Sequence, residues 1–165
     1  MGDMQAFEQL YNELSKNVYA FALSIVREKT AAEDIMQDTF VRVYNAASGF
    51  TAGGTGIAWI MRIARNLAMT AVTARKTEPE ERIDEEKSYS GTESQAVTRL
   101  AIEDAMKVLN ETERQIITLH AVSGMKLNEI AAIIDEPIGT VKWRHAEALK
   151  KLRRVLGEES EVSRR

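Results

Sequence analysis

Leu127-Asn128-Glu129-Ile130-Ala131-Ala132-Ile133-Ile134-Asp135-Glu136-Pro137-Ile138-Gly139-Thr140-Val141-Lys142-Trp143-Arg144-His145-Ala146-Glu147-Ala148-Leu149-Lys150-Lys151-Leu152 is the stretch on which the fold turns. Leu127, Ile130, Ala131 and Ile134 fall at the one-sided spacing of a two-turn helix. Asp135-Glu136-Pro137 makes a turn, and a longer helix follows from about Ile138 to Leu156. On a helical wheel Ile138, Val141, His145, Ala148, Leu149 and Leu152 form the packing face. Thr140, Trp143, Ala146, Glu147 and Lys150 lie opposite, flanked by Lys142, Arg144, Lys151 and Arg154. A short helix, a tight turn and a longer basic helix have the layout of a helix-turn-helix.

Upstream, Thr112 and Gln115 read as a capping box for a helix carrying Ile116, Ile117, Leu119, His120 and Val122, which Gly124 ends. Another helix carries Val97, Leu100, Ala101, Ala105, Val108 and Leu109. Residues 77–92 show no period and are acidic. They read as a flexible linker, with an ordered acidic helix over Glu80–Ser88 as the other reading. Before it, three more helices are expected. The first spans about Met4 to Val26, with Phe7, Leu10, Tyr11, Leu14, Val18, Phe21, Ala22 and Ile25 in one stripe. The second opens with a Thr30–Glu33 capping box and ends near Ala47. The third starts after a glycine-rich loop, Ser48 to Gly56, and fades near Lys76. The expected fold is all-α: two small helical domains, 1–76 and 93–157, joined by the linker, with a frayed tail at 158–165.

Charge is uneven along the 165 residues, whose formal net charge is −3. Ile57 to Lys76 holds four basic residues and no acid, Glu78 to Glu93 holds seven acids against two cations, and Val141 to Leu156 holds six cations against Glu147. Phosphate attraction is local, so a chain of negative total charge can still bind DNA through such helices. There are no cysteines, which excludes disulfides, thiol nucleophiles and thiolate metal sites and fits a cytoplasmic protein. No signal pattern or membrane-length apolar run is present, so no membrane insertion is expected. His120 and His145 lack the further ligands a metal site needs. Gly53-Gly54-Thr55-Gly56 lacks the lysine and the strand of a phosphate-binding loop. No nucleophile constellation or carboxylate pair points to an enzyme, and no cofactor is expected.

Three motifs then carry a resemblance. Val108-Leu109-Asn110-Glu111-Thr112-Glu113-Arg114-Gln115, Leu127-Asn128-Glu129-Ile130-Ala131 and Pro137-Ile138-Gly139-Thr140-Val141-Lys142 resemble the C-terminal domain of extracytoplasmic-function sigma factors of the sigma-70 family. Ala32-Glu33-Asp34-Ile35-Met36-Gln37-Asp38-Thr39-Phe40 resembles that family's core-binding motif. Ala58-Trp59-Ile60-Met61-Arg62-Ile63-Ala64-Arg65-Asn66-Leu67-Ala68 resembles its promoter-melting helix. The motifs stand in family order and span nearly the whole chain. Trp143 departs from the family's usual serine or threonine, Glu147 from a frequent basic residue, and His145 from an aliphatic.

The resemblance implies a factor that binds core RNA polymerase and directs it to promoters, restrained by an anti-sigma factor. It implies polymerase docking through Asp34, Gln37, Asp38, Val41 and Arg42 on the second helix. It places Phe50, Thr51, Arg62, Arg65 and Asn66 at the −10 element, where an apolar pocket with backbone donors and nearby cations would hold an unstacked base. It places Thr140, Lys142, Trp143, Arg144, Glu147, Lys150 and Lys151 at the −35 element. On the residues alone, Phe50 fits a base pocket or a core anchor, and Arg62 and Arg65 fit phosphate contacts or unpartnered surface cations. Trp143 fits a thymine-methyl or sugar contact, a partner-protein contact, or packing on a neighbouring helix. The rival to a sigma factor is a stand-alone helix-turn-helix regulator that dimerises through its first domain.

Overall fold

Each apolar stripe leaves a helix with one face to bury, and the chain buries these faces by stacking helix on helix. The computed structural model describes residues 3–51, 53–76 and 93–162, and every regular element among them is helical. The expected linker, 77–92, and the last residues of the tail, 163–165, lie outside the described residues.

The first helix, α1 (Met4–Val26), opens where the Asp3 carboxylate accepts the Gln5 and Ala6 N–H groups, and closes on Arg27 in the left-handed conformation. The second, α2 (Lys29–Ala46), is capped by Glu28, whose carboxylate accepts from the Thr30 and Ala31 N–H groups. The Thr30–Glu33 box does not form, because Glu28 already satisfies those first-turn donors. A 3-10 turn, Ala47–Gly49, leads to the loop, and Thr55 caps α3 (Gly56–Arg75). These three helices bury Val18, Phe21, Ala22, Phe40, Val43, Met61 and Ala64 between them. Phe40 meets Phe7 and Tyr11 edge-on.

The second half begins with α4 (Glu93–Met106). Asn110, not Thr112, caps α5 (Glu111–Ile117). Its side chain accepts the Glu113 N–H at 2.9 Å, and the Glu113 carboxylate accepts the Asn110 N–H at 3.0 Å. The true box therefore lies two residues before the expected one, and Gln115 is left free to face the other half. The helix continues as a π turn, Thr118–Val122, and ends at Gly124, whose φ of 64° suits a residue without Cβ. Next come α6 (Leu127–Ile134), closed by Asp135 at a φ of 57°, and α7 (Ile138–Val162). The last helix continues past Gly157, where the sequence suggested a frayed tail. Ile138, placed on the packing face by the wheel, is 40% exposed, because the first residue of α7 has no neighbouring turn over it.

The two halves share one core. Ile116, Leu119, Ile130, Ile133, Ile134 and Val141 of the second half join the buried cluster of α1–α3, while Leu109, Ile117 and Ala148 form a smaller one with Met106, Leu149 and Leu152. Helix α1 packs on α5, and α3 on α6.

Candidate nucleic-acid interface

Helix α7 presents its first turns outward because Val141 and Ala148 anchor its other face in the cores. Lys142 and Trp143 are exposed, Trp143 at 62%, while Thr140 is half-buried. This excludes packing on a neighbouring helix as the reason for the indole. The other candidates on this helix are tied down. Arg144 Nε donates to Glu136 at 2.9 Å, across the turn that precedes α7. Lys150 donates to Glu147 at 2.9 Å, and this bond and charge hold the Glu147 carboxyl below the usual carboxylate range.

Lys151 departs most from the expected picture. Its ammonium lies 2.8 Å from both carboxylate oxygens of Glu113, a residue only 4% exposed. The cation is thus used inside the domain, where it compensates the carboxylate that caps α5. Lys142 carries no described ion pair and is left as the uncommitted cation beside Trp143. His145 is half-buried and meets His120 edge-on at 4.8 Å. Burial first, and then His120, lowers its pKa. His120 Nδ1 lies 2.8 Å from the Met125 carbonyl. Among the described residues no cluster of three or more His, Cys, Asp or Glu side chains is placed to hold a metal.

The loop before α3 folds its aromatic ring back on the helix. Phe50 and Trp59 lie 4.8 Å apart at a tilt of 42°, and Phe50 is still 38% exposed. They line an open cleft of about 560 Å³ with Asn45, Ala46, Ser48, Gly49 and Thr51. Phe50 therefore belongs to a surface cleft and does not anchor the core. Trp59 was not among the candidate residues. It stood in the family motif with no role of its own, and only the folded loop brings it against Phe50 as a wall of the cleft.

Arg62 and Arg65 are not unpartnered surface cations. Arg62 Nη2 donates to the Ala132 carbonyl of α6 at 2.7 Å, and Arg65 Nε to Gln115 Oε1 of α5 at 3.0 Å. Thr55 reaches Glu129 at 3.5 Å in the same seam. From the other side, Arg114 donates to the Ser24 carbonyl at 3.3 Å and to the Leu109 carbonyl at 2.6 Å. Asn66 is exposed, one residue beyond Arg65. The second half thus covers part of the basic face of α3.

Asp34, Gln37, Asp38, Val41 and Arg42 are all exposed on α2, and Val41 at 58% and Tyr44 at 44% add apolar area. Tyr44, absent from the sequence candidates, is held edge-on against Phe7 at 5.1 Å. No helix among the described residues is long and apolar enough to cross a membrane.

Comparison with known proteins adds two family matches. Residues 10–78 match Sigma-70 region 2, and residues 105–154 match Sigma-70, region 4. The RNA polymerase sigma factor CarQ of Myxococcus xanthus is 30% identical over 173 residues, covering 99% of this chain and 97% of that protein. The ECF RNA polymerase sigma factor BldN of Streptomyces coelicolor is 28% identical over 167 residues, covering 96% of this chain but 63% of that longer protein. Among solved structures, the sigma factor RpoE of Bartonella quintana, bound to the anti-sigma factor NepR, superposes with a TM-score of 0.73 at 25% identity. That match covers 93% of this chain and 98% of the other. CnrH, in complex with the cytosolic domain of CnrY, shares the fold at a TM-score of 0.71 and 24% identity, covering 95% and 91%.

Proposed function

The chain belongs to the sigma-70 family, in its extracytoplasmic-function class, as a factor that directs RNA polymerase to promoters; from that membership we propose how its surfaces divide the work. The exposed face of α2, with Asp34, Gln37, Asp38, Val41 and Arg42, docks on core polymerase, and Tyr44 extends it. The Phe50–Trp59 cleft receives an unstacked base of the −10 element, with Thr51 at its rim and Arg62, Arg65 and Asn66 along the strand. An aromatic wall supplies stacking that any base can use, and the adjacent loop backbone supplies donors. The outward turns of α7 enter the major groove of the −35 element, with Lys142 on a phosphate. Domain bounds of 1–76 and 93–157 fit this division.

The observation that carries most of this reading is the pairing of an open aromatic cleft on one half with an uncommitted Lys142–Trp143 face on the other. Two separate DNA-facing surfaces on one chain suit a two-part promoter. A stand-alone regulator needs one such surface and a dimer interface, and the match of both halves to sigma regions gives no support to that alternative.

Arg62 Nη2 and Arg65 Nε are turned to Ala132 and Gln115, so the second half covers the face of α3 that would meet promoter phosphates. The closed arrangement must therefore open before the −10 element binds, and polymerase docking provides the free energy for it. An anti-sigma factor that stabilises the closed arrangement would keep the factor silent; RpoE, which shares the fold, is seen in complex with the anti-sigma factor NepR. The chain itself performs no reaction, needs no cofactor, and works where polymerase does, in the bacterial cytoplasm.

Run-off transcription with core polymerase on a pooled promoter library tests the reading. Transcripts that depend on this chain and share a two-part upstream motif are expected. No such transcript, together with tight binding of the free chain to a palindromic duplex, would return the stand-alone regulator.

A further inference from the structure

We propose that Trp143 reads a thymine in the −35 element through its 5-methyl group. The proposal rests on the reading of α7 as the helix that enters that element, and it names the base chemistry α7 recognises. An indole carries a large apolar area and is seldom left open without a use. Here it is 62% exposed on the second turn of α7, on the same face as Thr140, Ala146 and Glu147. The neighbouring groups are engaged elsewhere: Arg144 with Glu136, Lys150 with Glu147, and Lys151 with Glu113.

That inventory decides the kind of readout. Two-point recognition of guanine needs an arginine or lysine free to turn toward O6 and N7, and adenine needs an asparagine or glutamine. The outward face of the first turns has no asparagine or glutamine, the arginine beside it is held at Nε by Glu136, and Lys142, the free lysine, flanks that face and is assigned to the backbone phosphate. What remains at the tip is the indole, the Thr140 side chain and the Ala146 methyl. Their apolar counterpart in a major groove is the thymine methyl. The indole N–H adds direction, because it can only donate. Thymine presents an acceptor, O4, beside its methyl, whereas cytosine presents an amino donor and no methyl. The same side chain therefore favours thymine and disfavours cytosine. Lys142, exposed and without a described ion pair, supplies the adjacent phosphate contact that seats the helix.

Deoxyuridine replaces thymidine with loss of the methyl alone, so it isolates the contact. Holoenzyme reconstituted with the full chain is titrated against a promoter duplex taken from the transcription library. Deoxyuridine is placed at each thymidine of the −35 element in turn. The expected result is one position where uracil weakens wild-type binding roughly fourfold, about the worth of one buried methyl. At that position Trp143→Ser shows less than about a twofold further loss, since its groove contact is already gone. The exposed site tolerates this change, and a thermal melt of the variant checks it. Wild-type binding indifferent to uracil at every position overturns the proposal. Equal uracil sensitivity in wild type and Trp143→Ser also overturns it, and assigns the methyl contact to another residue. A Trp143→Ser variant that loses transcription while keeping that sensitivity assigns the indole to a protein partner. Failure of the sigma reading would show separately, as no dependent transcript from any promoter.

Discussion

Lys142 and Lys151 are both basic residues of α7, nine positions apart, yet their surroundings give them opposite work. Lys142 is exposed and unpaired among the described residues, and Lys151 is spent on the buried Glu113. Lys142→Ala should reduce the slope of log K against log salt for promoter binding by about 0.9, the release of counterions from one phosphate. Lys151→Ala should leave that slope nearly unchanged but destabilise the fold by about 2 kcal/mol, because it strands a buried carboxylate. Salt titrations of holoenzyme and urea melts of the free chain separate the two, and matching slopes for both variants would refute the assignment. His145 makes a pH prediction. Its folded pKa is lowered by burial and by His120, so the unfolded chain binds the proton more readily. Stability should be fully present above the ordinary histidine pKa, about 6.5, and should fall as the pH drops through it. Unfolding at pH values of about 7.5 and about 5.5 checks this, and His145→Leu should flatten the dependence over that window.

At the scale of elements, helix starts are set by whichever side chain reaches the first orphan N–H groups. For α5 that residue is Asn110, in a reciprocal box with Glu113. Asn110→Ala should cost about 1 kcal/mol, and Thr112→Ala, inside the first turn, less than about 0.5 kcal/mol. A larger shift in the urea midpoint for Thr112→Ala than for Asn110→Ala would place the cap at Thr112 instead. The turn between α6 and α7 depends on Asp135 in the left-handed region and on the Glu136–Arg144 pair, which fixes how α7 leaves α6. This orientation directs Lys142 and Trp143 to solvent.

Across the whole molecule, the second half covers the arginine face of α3. The closed seam ties Arg65 to Gln115 and Arg62 to the Ala132 carbonyl. Gln115→Ala removes the acceptor of Arg65 while leaving every candidate DNA residue in place. It should loosen the seam and raise the affinity of the free chain for a single-stranded −10 oligonucleotide several-fold, by lifting the cost of opening. Fluorescence anisotropy with a labelled oligonucleotide measures it. Unchanged affinity, with an unchanged distance between dyes on the two halves, would mean that Gln115 does not hold the seam shut.

Local patterning was enough to set the helices, their order and the family. Stripes at three- and four-residue spacing are local, and so are Gly124 and the break at Asp135-Glu136-Pro137, so α1, α3, α6 and the start of α7 fall where the periodicity puts them. It also identified the exposed face of α2 and the outward position of Trp143, since both follow from the wheel. It missed the caps at Glu28 and Asn110, where several polar residues compete within one turn and only geometry selects between them. It missed the helical continuation beyond Gly157, because a charged segment without apolar period resembles a tail. Which cations are free emerges only when the two halves pack together. Lys151 lies 38 residues from Glu113, Arg65 lies 50 from Gln115, and Arg62 lies 70 from Ala132. No local pattern encodes such pairs. They exist because both halves bury their apolar faces in one core, and that burial carries the charged groups at the rim into contact.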